Sequence, residues 1–167
     1  MTIQWTEEWA VGEPTIDEQH RELVGHINAL LEAVGRARSR AEIANMMAFL
    51  EVYVLRHFQD EERLMAMVEY PQLEAHRTMH ESFARVFARL REEYARDGPT
   101  PGLSAELNVR VSGWLVSHIG RLDRAFGEFL AGIGEPGDMH AGGPGTPYRS
   151  AAEVTRQSSR ARRFGMA

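Results

Sequence analysis

Apolar residues recur at intervals of three and four along four long segments of the chain. An α-helix turns by about 100° per residue, so this spacing gathers apolar side chains on one face of a helix. Four amphipathic helices joined by short loops predict an all-α fold, an up-down-up-down antiparallel four-helix bundle. The four apolar stripes are formed by Ile16, Leu23, Ile27, Leu30 and Val34; by Ile43, Met47, Leu50, Val54 and Leu64; by Leu73, Phe83, Phe87, Leu90 and Tyr94; and by Leu107, Val111, Trp114, Leu122 and Phe126.

Local signals predict where these helices begin and end. Residues 15–18 and 39–42 have the Ser/Thr-x-x-Glu form of a capping box, which predicts the starts of the first two helices. Gly35 is expected to end the first helix, since glycine is common just past a helix C-terminus. Pro71 is expected in the first turn of the third helix, and Ser104 is expected to cap the fourth.

Both ends of the chain lack the helical pattern. Residues 1–14 are expected to form an irregular N-terminal arm that packs over the end of the bundle through its tryptophans and Val11. Beyond the fourth helix the chain is rich in Gly, Pro, Ser, Ala and Arg, a composition that buries too little apolar surface to offset its ordering entropy. The predicted domains are therefore a bundle of residues 1–133 and a disordered tail of residues 134–167.

Composition narrows the kind of site that the protein carries. The chain has no cysteine, which excludes disulfides, thiolate metal sites and iron–sulfur clusters. Its formal net charge of −5 argues against a nucleic-acid partner, because phosphate binding favours a positive surface. The sequence shows neither a basic start followed by an apolar run nor a segment apolar enough to span a membrane. These features predict a cytoplasmic protein.

Every predicted helix carries histidine within its apolar stripe. A buried imidazole or carboxylate is costly unless a partner compensates it. His57 and Glu61 lie one helical turn apart on the same face. His76 and His80 have the same spacing, which suits two imidazoles that grip one metal ion from a single helix. The histidines on the stripes are His20, His57, His76, His80 and His118.

Asp123 is a second candidate carboxylate, but its spacing is awkward. It follows His118 by five residues, which on an ideal α-helix turns the two side chains about 140° apart. Asp123 therefore joins the histidines either by its own reach or through a local distortion of the helix near Gly120. His26 points away from the first stripe and is expected at the surface, while His140 lies in the predicted tail.

The buried polar residues carry more weight together than singly. Taken one at a time, each histidine is better explained as a core residue bonded to a neighbour. Five histidines on facing stripes, with two carboxylates, favour a metal site. Seven ligands exceed the need of one zinc or one six-coordinate iron ion, which predicts two ions. Imidazoles and carboxylates without thiolates suit iron or manganese best.

Several motifs in the same order give the chain a family resemblance. They are Ile3-Gln4-Trp5, Ile16-Asp17-Glu18-Gln19-His20, His57-Phe58-Gln59-Asp60-Glu61-Glu62, Tyr70-Pro71, His76 with His80, and Trp114-Leu115-Val116-Ser117-His118-Ile119 to Asp123. With them the chain resembles the hemerythrins, most closely the bacterial single-domain form, over residues 3 to about 130. The resemblance implies two non-haem iron ions per chain, bridged by two carboxylates and by an oxide or hydroxide from solvent. The implied ligands are His76, His80 and His118 for one iron ion, His20 and His57 for the other, and Glu61 and Asp123 as bridges.

The resemblance also implies a function. The iron ion with two imidazoles is one ligand short, and in this family dioxygen takes that position. We therefore expect reversible dioxygen binding for oxygen storage, delivery or sensing, by a protein that is not an enzyme. A di-iron enzyme acting on dioxygen, peroxide or nitric oxide is the alternative, although the chain lacks the Glu-x-x-His motifs of ferritin-like oxidases. A signalling role in which the tail contacts a partner protein is a third hypothesis.

Overall fold

The computed structural model describes residues 2–134 of the chain. A short 3-10 turn, Glu7–Trp9, lies in the N-terminal arm, and four long helices follow it. The predicted tail lies outside the described residues, apart from Gly134, and so does His140. The helices are α1 (Pro14–Gly35), α2 (Arg40–Met67), α3 (Leu73–Asp97) and α4 (residues 101–134).

The four helices form a bundle in which each packs on the next. Helix α2 contacts both α1 and α3, and the first part of α4 contacts α3 and α1, which closes the ring. Short connections join consecutive helices that touch, so neighbours run antiparallel. The predicted all-α four-helix bundle is confirmed, and residues 2–134 contain no strand. Within the same residues, no helix is long and apolar enough to cross a membrane.

The predicted stripes face inward and make one continuous apolar core. Side chains such as Ile43, Met47 and Leu90 are fully buried. Burying a side chain of this size contributes about 1.5–3 kcal/mol to folding. The histidines lie on these same stripes, so the packing that stabilises the bundle also positions them.

Helix α1 begins two residues earlier than predicted, with Glu13 in place of Thr15 as its N-cap. Pro14 occupies the first turn, and the Glu13 carboxylate accepts a hydrogen bond from the Ile16 backbone N–H at 2.8 Å. The prediction of a cap at residues 15–18 is therefore wrong, because a proline suits the first helical position and moves the start ahead of it. The predicted end at Gly35 is confirmed.

Of the other three helix starts, that of α2 agrees with the prediction and those of α3 and α4 differ from it. The Ser39 hydroxyl accepts from the Glu42 N–H at 3.3 Å, which confirms the predicted cap of α2. Pro71 lies in the turn before α3 and not in its first turn, since α3 begins at Leu73. Helix α4 is capped by Thr100, whose hydroxyl accepts from the Leu103 N–H at 3.1 Å. The prediction that Ser104 caps α4 is wrong, because the following proline again draws the start forward.

The N-terminal arm is tied to the bundle at both of its ends. Asn28 exchanges two hydrogen bonds with the Ile3 backbone, at 2.9 and 2.7 Å. The Asp17 carboxylate accepts from the Val11 N–H at 2.7 Å. Val11 also lies so close to Gly127 of α4 that a Cβ there would stand 2.7 Å from the Val11 Cα. The expectation of an arm packed on the bundle is confirmed.

Helix α4 departs from α-helical geometry twice, at Leu107–Ser112 and at His118–Asp123, where it forms π-helical turns. A π-turn bonds residues five apart instead of four, so a residue five positions on lies near the same face. The second π-turn begins at His118 and ends at Asp123, and it brings these two side chains together. Of the two alternatives left open by the sequence, the local distortion of the helix is the one observed.

Candidate metal centre

Seven polar side chains meet inside the bundle, and every helix supplies at least one. None of them is more than 3% exposed. The structure therefore brings together all of the residues that the sequence singled out. His26 stays apart, half-buried between α1 and α2 with its ring 4.9 Å from that of Phe49. The seven are His20 from α1, His57 and Glu61 from α2, His76 and His80 from α3, and His118 and Asp123 from α4.

Three imidazoles converge in what we call the three-histidine half, formed by His76, His80 and His118. Their Nε2 atoms form a triangle with sides of 3.1, 2.9 and 3.1 Å. A neutral imidazole whose Nε2 carries no proton presents a lone pair there, and three such lone pairs facing one another are unfavourable without a cation between them. The triangle is the arrangement that a metal ion would stabilise.

The remaining two imidazoles, His20 and His57, form the two-histidine half. Their ring centroids lie 4.7 Å apart. One ligand atom from each of them and one from Glu61 all lie within 4.8 Å of one another. This half therefore offers two imidazoles and a carboxylate, one imidazole fewer than its neighbour.

The two carboxylates face both halves. Glu61 belongs to the ligand group of each half. Asp123 places Oδ2 at 3.2 Å from the His20 Nε2 and Oδ1 at 3.1 Å from the His118 Nε2. Since each carboxylate reaches both halves, the arrangement suits two metal ions that share two bridging ligands.

Two histidines are oriented by hydrogen bonds at their outer ring nitrogens. His80 Nδ1 donates to Glu62 Oε1 at 2.9 Å, and His57 Nδ1 donates to Gln19 Oε1 at the same distance. A ring whose Nδ1 carries the proton directs the Nε2 lone pair into the cluster, as a metal ligand must. The sequence analysis placed Gln19 and Glu62 in the family motifs, each next to a ligand, but it predicted no role for them.

Burial and neighbouring charges set the ionisation of the cluster in opposite ways. Burial lowers the pKa of His57 to about 3, so this imidazole is neutral and able to bind a metal at neutral pH. Burial also opposes charge on His20, but Asp123 raises its pKa. Burial likewise opposes charge on His76, but Glu61 raises the pKa of this imidazole. Burial opposes the ionisation of both carboxylates, yet their histidine partners hold each pKa below its ordinary value.

Several buried polar atoms of the cluster make no hydrogen bond within the described part of the chain. Among residues 2–134, the His20 Nε2, the Glu61 Oε1 and both carboxylate oxygens of Asp123 make no hydrogen bond, although Asp123 Oδ2 lies 3.2 Å from the His20 Nε2. A buried polar atom without a partner costs about 1–3 kcal/mol, and more when it is charged. Metal ions would complete all four atoms. The donor set of nitrogen and oxygen without sulfur fits iron or manganese, so the residues present suit the group that the resemblance implies.

Aromatic rings cover the three-histidine half. Phe58 stacks on His80 with centroids 3.7 Å apart and planes 6° from parallel. Trp114 stacks on His118 at 4.1 Å and 14°. On the other half, Trp5 of the N-terminal arm lies over His20 at 6.2 Å. These rings keep water from the cluster and limit rotation of the two stacked imidazoles.

Known proteins resemble this chain in sequence and in fold. The family model described as the hemerythrin HHE cation binding domain matches residues 11–130. A bacteriohemerythrin of Stenotrophomonas maltophilia is 32% identical over 75% of this chain and 80% of its own. The hemerythrin subunit alpha of Lingula reevii is 30% identical over 69% of this chain and 84% of its own. A crystal structure of wild-type hemerythrin superposes with a TM-score of 0.68 and 26% identity, covering 78% of this chain and 99% of that one.

Proposed function

The chain belongs to the hemerythrin family, and we propose from this premise that it binds dioxygen reversibly at a di-iron centre, for oxygen storage, delivery or sensing. We assign one iron ion to the three-histidine half and the other to the two-histidine half. Both carboxylates would bridge the pair, together with an oxide or hydroxide from solvent. The ligands in this proposal are His20, His57, Glu61, His76, His80, His118 and Asp123.

The unequal number of imidazoles is the observation that carries the proposal. Three imidazoles converge on one half and two on the other, while both carboxylates reach both halves. The half with fewer protein ligands leaves room for a small ligand from outside. When bound, the iron pair supplies the two electrons that dioxygen takes up and returns.

The residues around the site support binding in preference to oxidation of a second substrate. His20 and His57 are at most 2% exposed, so the two-histidine half is shielded from bulk water. Water exclusion slows the loss of reduced oxygen species and the leakage of protons. Five imidazoles and two carboxylates also make the ligand set richer in nitrogen than the carboxylate-rich sites of ferritin-like oxidases.

Repeated oxygenation tests the proposal. Iron-loaded protein should contain about two iron ions per chain, as seven ligands imply. Reduced protein exposed to air should gain a visible absorption band, and removal of oxygen should restore the colourless state over several cycles. A first exposure that yields stoichiometric peroxide or water, with a product that does not release oxygen, would replace the carrier with an oxidase. One metal ion per chain, or zinc in a well-loaded preparation, would contradict the di-iron assignment itself.

A further inference from the structure

The Nδ1 atoms of His57 and His80 have different kinds of hydrogen-bond partner. His80 donates to the Glu62 carboxylate, which also accepts from the Arg77 guanidinium at 3.1 Å. His57 instead meets the neutral amide of Gln19. A carboxylate accepts hydrogen bonds and never donates them while it is ionised, so the His80 tautomer is fixed by its partner alone. An amide both donates and accepts, so on its own it fixes no tautomer.

The orientation of the Gln19 amide is set by a third residue. The Gln19 Nε2 donates to Asp60 Oδ2 at 2.9 Å, and a carboxylate accepts only from the amide nitrogen. The amide oxygen is therefore directed at His57, whose Nδ1 must carry the proton. Asp60 is in turn held by Arg63 at 3.1 Å and by Arg56 at 3.8 Å. A carboxylate near the surface thus decides which nitrogen of a buried imidazole holds its proton.

We propose that Asp60, acting through the Gln19 amide, is a positioning residue that holds His57 in its metal-binding tautomer. The inference rests on the proposed function only in taking iron as the metal. The His57 tautomer can be measured in the metal-free protein. The proposal also accounts for the partial exposure of Asp60, whose side chain is 27% exposed. Its role requires a group that accepts hydrogen bonds and does not donate them, and a partly solvated carboxylate that contacts two arginines is such a group.

Asp60→Asn is the variant that separates this role from simple packing. The substitution keeps the size of the side chain but replaces one acceptor oxygen by a donor group. The Gln19 amide is then free to turn by half a rotation and present its nitrogen to His57, which favours the tautomer with the proton on Nε2. In that tautomer the Nε2 directs an N–H, and no lone pair, at the metal site. We expect the affinity of the two-histidine half for ferrous ion to fall about tenfold to a hundredfold, the usual effect of losing an outer partner of a ligand.

A double variant tests the mechanism by rescue. In Asp60→Asn with Gln19→Glu, the carboxylate is moved next to His57 and again only accepts, while the new amide donates to it. The proton returns to Nδ1, and iron affinity should recover to within about threefold of the original. Arg63→Gln is the matched control, because it removes a mostly exposed partner of Asp60 yet leaves the carboxylate in place, and exposed ion pairs contribute little. Its affinity should stay within about twofold.

The experiment combines anaerobic ferrous ion titration of the full chain with nitrogen NMR of its histidine rings. Ring nitrogen shifts of the metal-free protein report the His57 tautomer directly, and thermal unfolding shows that each variant folds. We expect the proton on Nδ1 in the original chain, on Nε2 or exchanging in Asp60→Asn, and on Nδ1 again in the double variant. An unchanged tautomer in Asp60→Asn, or a double variant no better than the single one, would overturn the inference. A chain that keeps the expected tautomers but binds no iron would overturn the proposed function instead.

Discussion

The two halves of the cluster are built in different ways. In the three-histidine half, His76 and His80 come from adjacent turns of one helix, and flat aromatic rings cover His80 and His118. In the two-histidine half, His20 and His57 come from different helices, and the N-terminal arm lies over His20. One half is therefore set largely by local helical spacing, and the other depends on contacts between distant parts of the chain.

The geometry of the two-histidine half is therefore easier to change than that of the three-histidine half. The half that we assign to dioxygen is the one whose geometry depends on the arm, on the Gln19 contact between α1 and α2, and on Asp60. A small movement of any of these changes the two-histidine half while the other half keeps its stacked rings. Variants that separate the halves therefore test both the metal assignment and the way in which the fold supports it.

The largest effect is expected from the residue that both halves share. Glu61→Ala removes a ligand from each half, together with a buried negative charge that offsets two cations. We expect the variant to retain close to no iron. His20→Ala removes a ligand from the two-histidine half alone, and it should retain about one iron ion per chain because the three-histidine half keeps its full ligand set.

Elemental analysis of both variants after identical loading makes this measurement. Glu81→Ala is the control, since it removes an exposed acidic side chain next to a ligand, one that pairs with the exposed Arg85 at 3.7 Å and does not face the cluster. It should retain both iron ions. Equal iron retention in Glu61→Ala and His20→Ala would contradict the bridging role of Glu61.

In the metal-free protein, His57 and His76 should respond to pH in different ranges. The pKa of His57 is lowered by burial from 6.5 to about 3, so between these values the unfolded chain binds a proton that the folded chain does not. Stability therefore falls as the pH drops through this range, by on the order of 1.4 kcal/mol per pH unit from this group. In His57→Asn this contribution disappears, and the variant should lose less stability on acidification.

His76 provides the opposite case. Burial would lower its pKa, but Glu61 raises it above 6.5, so the folded chain binds this proton more tightly than the unfolded chain. The stability that it contributes is complete below pH 6.5 and is lost as the pH rises through the raised value. His76→Asn should therefore flatten the pH dependence of stability above pH 6.5. Urea unfolding of the metal-free variants across the pH range measures both effects, and the same response from both variants would contradict the comparison.

The same contrast explains how much the sequence predicted. Helical spacing was enough to gather the histidines, because apolar stripes at intervals of three and four must face one core. Asp123 could not be placed from spacing alone, since a π-turn depends on how α4 packs and not on a residue pattern. The roles of Gln19 and Glu62 were missed because their partners lie 38 and 18 residues away, on other helices. Two helix starts were predicted wrongly where a proline decided the first turn.

The smallest expected effect comes from the contact that holds the N-terminal arm in place. Gly127→Ala would put a Cβ at 2.7 Å from the Val11 Cα, and backbone atoms cannot yield as a flexible side chain can. The arm must move, and the loss of stability should be about 1–3 kcal/mol, as for other overpacked sites. Val11 and Gly12 both donate to Asp17, one turn before His20, so the movement reaches the two-histidine half first.

Gly25→Ala is the matched control for that variant. Gly25 lies within α1, on the outside of the bundle, and a Cβ there meets nothing within 4 Å. Alanine is favoured over glycine in a helix, so this variant should gain about 0.5–1 kcal/mol. Thermal unfolding measures the stability of each, and anaerobic titration with ferrous ion follows the two halves separately. We expect Gly127→Ala to weaken iron binding at the two-histidine half, because the arm lies over His20. Iron binding at the three-histidine half should not change, because that half has its own aromatic cover. Equal weakening of both ions would mean that the arm supports the whole bundle and not one half of the site.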